Sequence, residues 1–150
     1  VRAIEVSRSL GYRPVANFVI DPDWEERDFK DLWRFVAAHD LDRAGFTLRT
    51  PLPGTELYAR MRSRLDGQPW YRFDMHHLLW EPRLGVRRFF ELYAETWRRT
   101  VLNMSGKKRW RDWLGQVGPR DALAMTRILY RTQRMMSPKA YLQEQSHVGS

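Results

Sequence analysis

Two short apolar runs, separated by one amphipathic stretch, constrain this chain more than any other feature. The first is Val15-Ala16-Asn17-Phe18-Val19-Ile20, with Pro14 before it and Asp21-Pro22-Asp23 after it. An apolar, β-branched run bounded by turn residues reads as a buried strand. The second runs roughly from Ala44 to Leu48 and leaves through Arg49-Thr50-Pro51-Leu52-Pro53-Gly54-Thr55. Between them, Phe29, Leu32, Trp33 and Val36 fall at the i, i+3, i+4, i+7 spacing of one helix face. Asp23 is placed to cap that helix, from Trp24 to His39. Glu25, Glu26 and Asp28 fill its first turn, where the helix dipole favours negative charge. A helix from Arg2 to Leu10 precedes the first strand, with Gly11 just past its end. Thr55 caps a third helix through Leu65, which turns Leu57, Tyr58, Met61 and Leu65 inward. Strands that alternate with helices in this way run parallel and are joined by helical crossovers.

The pattern changes after Asp66-Gly67-Gln68-Pro69. Trp70 to Pro82 is aromatic and without a clean period. Helices follow, roughly Val86 to Leu102, Lys107 to Leu114, Pro119 to Met136, and a short one from Pro138, with breaks at Gly106, Gly118-Pro119 and Ser137-Pro138. The expected fold class is therefore α/β followed by all-α, divided into residues 1–66 and 67–150. Charge follows the same division. Residues 1–75 hold 12 Lys+Arg against 12 Asp+Glu, whereas residues 76–150 hold 14 against 6, which is the whole net charge of +8. Such asymmetry points to an anionic partner, to a membrane surface, or to two differently built regions. The chain has no cysteine. No disulfide, iron–sulfur cluster, zinc-thiolate site or cysteine nucleophile can be built from it alone. No apolar run approaches the roughly 18 residues of a membrane span. The expected compartment is the cytoplasm, extended to peripheral contact at the inner membrane face. Val1, in place of a methionine, raises the expectation of a processed chain or a piece of something longer.

Four stretches are candidates for chemistry. Ligands of open or barrel α/β sheets bind beyond the carboxyl ends of the strands. Asn17 and Asp21 stand at such an end, where the plainer reading is an ordinary strand-to-helix turn. The exit of the second strand is stiffened by Pro51 and Pro53 and loosened at Gly54. It suits the wall of a planar-ligand site, or simply a rigid helix entry. In Tyr71 to Pro82, the adjacent His76 and His77 cannot point the same way, so spacing does not make them a metal pair. Asp74, His76 and Glu81 can still gather in a loop, against the plainer reading of a packed aromatic loop. Arg87-Arg88, Arg98-Arg99 and Lys107-Lys108-Arg109-Trp110-Arg111 with Trp113 interleave cations and aromatics. That suits an anionic bilayer or a phosphate backbone, or the solvated side of packed helices. No catalytic nucleophile, phosphate loop or metal signature is present.

The two strand exits together carry a resemblance. Val15 to Glu25, followed by Thr50-Pro51-Leu52-Pro53-Gly54-Thr55-Glu56-Leu57-Tyr58, resembles the last part of the barrel of cobalamin-binding radical S-adenosylmethionine enzymes. That superfamily carries Thr-Pro-x-Pro-Gly-Thr-x-Leu-Tyr at this point. Asn17-Phe18-Val19-Ile20-Asp21 stands where the family has a glycine-containing strand end near the adenine. Phe73-Asp74-Met75-His76-His77-Leu78-Leu79-Trp80-Glu81-Pro82, Arg88-Phe89-Phe90-Glu91-Leu92-Tyr93, Thr96-Trp97-Arg98-Arg99 and Arg131-Thr132-Gln133-Arg134-Met135-Met136 resemble the C-terminal region of the hopanoid C-3 methylase family. The resemblance implies the last βα units of a partial (β/α) barrel with a helical extension, and a radical methylation that needs S-adenosylmethionine, a [4Fe-4S] cluster and cobalamin. The cluster ligands and the cobalamin domain would lie upstream, so the fragment alone is expected to be inactive. Asn17, Val19, Asp21, Leu48 and Thr50 would line the S-adenosylmethionine side, and His76 and His77 would face the substrate. The implied substrate is a hopanoid or other apolar small molecule, and no nucleic acid is expected. Another cobalamin-dependent radical enzyme with a different substrate, or a basic nucleic-acid-binding module, are the alternatives.

Overall fold

The computed structural model describes residues 1–41, 44–100, 127, 130, 131, 134 and 136–146. Helix α1 (Arg2–Ser9) leads to strand β1 (Ala16–Ile20), helix α2 (Glu26–Ala38), strand β2 (Ala44–Leu48) and helix α3 (Glu56–Leu65). A single 3₁₀ turn at Trp70–Arg72 begins the aromatic segment. Helix α4 (Val86–Thr100) and helix α5 (Pro138–Ser146) follow. The helices expected over Lys107–Leu114 and Pro119–Met136 lie for the most part outside the described residues.

The two strands are parallel, as the crossover pattern requires, and pair in the register Ala16↔Ala44 through Ile20↔Leu48. Alternation of side chains across a strand puts Ala16, Phe18 and Ile20 on one face, with Ala44, Phe46 and Leu48 beside them. Phe18 and Phe46 stack across the pair with centroids 5.8 Å apart. This face meets α2 and α4. Phe29, Leu32 and Val36 of α2 and Phe89, Phe90, Leu92 and Tyr93 of α4 join it in one buried cluster. Phe89 is fully buried, edge-on to Phe29 with centroids 5.7 Å apart. The Trp33 indole N–H donates to Thr96 Oγ1 at 2.8 Å, which ties α2 to α4. The Tyr93 hydroxyl donates to the Phe46 carbonyl at 3.0 Å, which ties α4 to the sheet. Burial raises the Tyr93 phenol above its ordinary pKa, so it stays a neutral donor. Tyr141 of α5 stacks on Phe90 and meets Tyr93 edge-on, with centroids 5.6 and 5.0 Å away.

Two expectations change. The first run is not buried on both faces. Asn17 and Val19 point away from the helices, and Val19 is 58% exposed. The reason is one-sided packing: α2 and α4 cover only the Phe18 and Phe46 face. Asp23 is not the cap of α2. Glu25 takes that place in a capping box with Asp28, whose carboxylate accepts from the Glu25 N–H at 2.7 Å. Asp23 accepts instead from the Trp80 indole at 3.1 Å. Thr55 caps α3 as its sequence position predicts, accepting from the Tyr58 N–H.

Candidate site at the carboxyl ends of the two strands

The exposed face of the sheet carries Asn17 and Val19 on β1, opposite Gly45 and Thr47 on β2. The Asn17 amide lies over Gly45. A Cβ built on Gly45 would stand 2.5 Å from Asn17 Oδ1, so only glycine leaves the amide where it is. The result is a shelf with the Asn17 amide seated over Gly45 and with Val19 and Thr47 beyond it; Asn17 and Gly45 are the second pair from the amino end of the register, so Asn17 does not stand at the carboxyl end of β1 as its sequence position suggests.

An ion pair closes the end of this shelf. Arg49, just past β2, donates through Nη1 to Asp21 Oδ2, just past β1. The Arg49 N–H donates to the Ile20 carbonyl at 2.9 Å, which keeps the two chain exits in register. Asp21 Oδ1 also accepts from the Asp23 N–H at 3.0 Å. Leu48 behaves differently from its neighbours. Its side chain is 1% exposed and sits in the core beside Ile20, on the opposite face from Val19. Only its backbone reaches the site: its carbonyl accepts from Thr50 Oγ1 at 3.2 Å.

The aromatic loop docks on the outer edge of β2. The Leu48 N–H donates to the Met75 carbonyl at 2.7 Å. Met75 has φ +65, the left-handed turn that brings the following residues back over Asp74. Asp74 Oδ1 accepts from the His76 N–H at 2.8 Å and the His77 N–H at 3.0 Å. Asp74 Oδ2 lies 2.9 Å from His77 Nδ1. Burial works to raise the Asp74 carboxyl pKa. The two backbone N–H groups and the His77 ring outweigh it, and the net value lies below the usual carboxylate range. His76, by contrast, is exposed, and its backbone alone engages Asp74. Glu81 is not part of this arrangement, and no group of three metal-ligating side chains occurs among the described residues.

The depressed Asp74 pKa means that the carboxylate stabilises the folded loop in its ionised form. Its contribution is fully present above the ordinary carboxylate value of about 4, and is lost as pH falls through the lowered folded value. Acidification through that window is expected to lower the protection of the His76 and His77 amides, measured against their intrinsic exchange rates at each pH. Asp74→Asn removes that acid-dependent step; an identical pH dependence in the variant contradicts this assignment.

Sequence reasoning singled out neither Arg49 nor Gln145 as site residues. The Gln145 amide accepts from the Leu78 N–H and donates to the Leu78 carbonyl, both at 3.0 Å. The Gln145 carbonyl accepts from Arg72 at 2.8 Å. A strand exit that ends in a cation opposite an acidic residue was a readable hint for Arg49. Gln145 had none.

The basic stripe of α4 is largely engaged within the molecule. Arg88 pairs with Glu26 and Glu91, at 2.8 and 3.1 Å. Arg98 and Arg99 pair with Glu95, at 2.6 and 2.7 Å. The Arg99 guanidinium also lies 4.4 Å from the Trp33 ring centroid. The Lys107–Arg111 cluster lies outside the described residues. No helix among the described residues is long and apolar enough to cross a membrane.

The shelf, the ion pair and the docked loop adjoin one another on the two parallel strands. Known proteins similar to this chain are methyltransferases. The chain is 26% identical over 132 residues to bacteriochlorophyllide d C-12(1)-methyltransferase of Chlorobaculum tepidum, covering 83% of this chain and 26% of that protein. It is 25% identical over 143 residues to hopanoid C-3 methylase of Methylococcus capsulatus, covering 93% of this chain and 28% of that protein. It is 27% identical over 111 residues to bacteriochlorophyllide d C-8(2)-methyltransferase of Chlorobaculum tepidum, covering 67% of this chain and 25% of that protein. The chain thus spans about a quarter of the length of the curated relatives it matches. The relationship read from the strand exits and the aromatic loop is met by these matches. No protein-family profile and no solved structure matches the chain.

Proposed function

We propose that the chain is the C-terminal part of a cobalamin-dependent radical S-adenosylmethionine methyltransferase. Residues 1–66 are then the last βα units of a partial (β/α) barrel, and residues 67–150 a basic, aromatic helical extension over it. The observation that carries this reading is the open face of Asn17, Val19, Gly45 and Thr47 on two parallel strands whose carboxyl ends are joined by Asp21 and Arg49. Ligands of such sheets bind at that end.

The shelf fits S-adenosylmethionine. The Asn17 amide would offer a donor and an acceptor to a purine edge and Val19 an apolar surface to its ring, while Gly45 leaves the room in which that amide lies. Asp21 and Thr50 stand at the shelf's end, and Leu48 contributes its backbone. When bound, S-adenosylmethionine supplies the reactive chemistry; this chain's residues bind it, orient it and keep water from it. An iron–sulfur cluster does not fit here, because the chain has no cysteine. In this reading the cluster and cobalamin belong to the remainder of the longer protein, and the chain by itself is inactive.

The substrate we favour is a hopanoid methylated at C-3, an apolar small molecule, approached from the side of His76 and His77. A chlorin is the second reading, because two of the relatives act on bacteriochlorophyllide d at comparable identity. The compartment in this reading is the cytoplasm, with the basic, aromatic extension in peripheral contact with the inner membrane face. Liposome flotation of the full-length protein tests that contact; no flotation with anionic lipid removes it. The decisive assay offers the full-length protein, anaerobically, a hopanoid and bacteriochlorophyllide d with methyl-labelled S-adenosylmethionine. Label in the hopanoid is expected. Label in the chlorin supports the second reading, and label in neither overturns both.

A further inference from the structure

The loop that carries His77 is held by a residue 67 positions away, Gln145 of α5. Both polar atoms of the Gln145 side chain bind the backbone of Leu78, one to its N–H and one to its carbonyl, each at 3.0 Å. A primary amide matches a peptide group donor for acceptor, so this clamp does the work of a neighbouring strand. Leu78 follows His77 directly. On the other side of the loop, Met75 is fixed to the end of β2 through the Leu48 N–H. Between these two anchors, Asp74 engages the Nδ1 side of the His77 ring at 2.9 Å. A carboxylate on Nδ1 favours the tautomer with its proton there, and turns Nε2 into the acceptor for a ligand. His77 keeps 12% of its side chain exposed, and the edge of Tyr71 stands against it with ring centroids 6.4 Å apart.

We propose that Gln145 is a positioning residue: from the C-terminal helix it presets His77, with Asp74 at Nδ1, so that Nε2 accepts a hydrogen bond from a hydroxyl of the substrate. The inference rests on the methyltransferase reading given above. It also separates the two histidines, since His77 receives its ring partner from Asp74 and His76 only a backbone contact. Helix α5 is itself seated on the core through Tyr141, so the clamp links the core to the rim of the site.

The test uses the full-length protein with a hydroxylated hopanoid and with bacteriochlorophyllide d as probes. Gln145→Met removes both clamp bonds while keeping the length of the side chain. Lys139→Met, on an exposed position of the same helix, is the control. Gln145→Met and His77→Phe are expected to raise KM for the methylated probe about tenfold, with kcat within about twofold, because a contact remote from the reacting carbon is a uniform-binding contact. Lys139→Met is expected to leave both constants unchanged. Unchanged KM in Gln145→Met or in His77→Phe, or an equal rise in Lys139→Met, overturns the proposal. If neither probe is methylated, the functional reading fails. The positioning claim is then judged by amide exchange alone: Gln145→Met must accelerate exchange at His77 and Leu78 about tenfold over Lys139→Met, and equal rates overturn it.

Discussion

Phe89→Ala is expected to destabilise the region described here by about 3–5 kcal/mol, the cost of an emptied aromatic position in a closed core. Phe89 is fully buried, edge-on to Phe29 and Phe90 and parallel to Tyr93. It is the ring through which α4 seats on α2. The neighbours cannot collapse into the gap freely, because hydrogen bonds fix them: Tyr93 to the Phe46 carbonyl and Trp33 to Thr96. The measurement is the free energy of amide exchange of β2 and α4 in the full-length protein, wild type against variant. A loss under about 1 kcal/mol contradicts a core that runs from the sheet through α2 to α4. An exposed partner of α4, such as Arg87, serves as the contrast: its pair with Glu91 at 3.4 Å is a surface contact of small expected worth.

Gly45→Val is expected to weaken binding of S-adenosylmethionine to the full-length protein by at least about tenfold, roughly 1.4 kcal/mol. A Cβ at this position already meets Asn17 Oδ1 at 2.5 Å, and the two further methyl groups of valine fill the shelf. The strand itself tolerates the change, because β-branched residues suit extended backbone. The effect therefore falls on the ligand face and not on the fold. Gly45→Ala should fall between the two, since the Asn17 amide can swing aside by rotation. Equilibrium dialysis with labelled S-adenosylmethionine reads the difference; unchanged affinity in Gly45→Val removes the shelf from the binding site.

The parts legible in the sequence are those set by local chemistry. β2 and the Thr55 cap are read from neighbours within a few residues, and the parallel pairing follows from the helix between two strands. What stayed hidden was long-range. Asp23 has every local mark of an N-cap, but Trp80, 57 residues on, takes its carboxylate, and Glu25 with Asp28 caps the helix instead. In the sequence, Leu48 and Val19 read alike as residues near a strand exit. The pairing of Val19 with Thr47, and of Ile20 with Leu48, puts Leu48 on the core face, and that register cannot be counted from one strand alone. The Gln145 clamp has no local pattern, because a side-chain amide bonding a distant backbone leaves no periodicity. Asp74 and His77 were visible as candidates; that Asp74 selects His77 over His76 depends on the left-handed turn at Met75.

On the proposed function, the Asn17–Val19–Gly45 face is expected to hold S-adenosylmethionine. Photolabelling of the anaerobic full-length protein with an azidoadenine analogue of S-adenosylmethionine, followed by peptide mapping, tests it directly. Label is expected on the peptides that carry Asn17 to Val19 and Gly45 to Thr47, suppressed by excess S-adenosylmethionine. Competable label confined to other peptides, with these two unmarked, would contradict it.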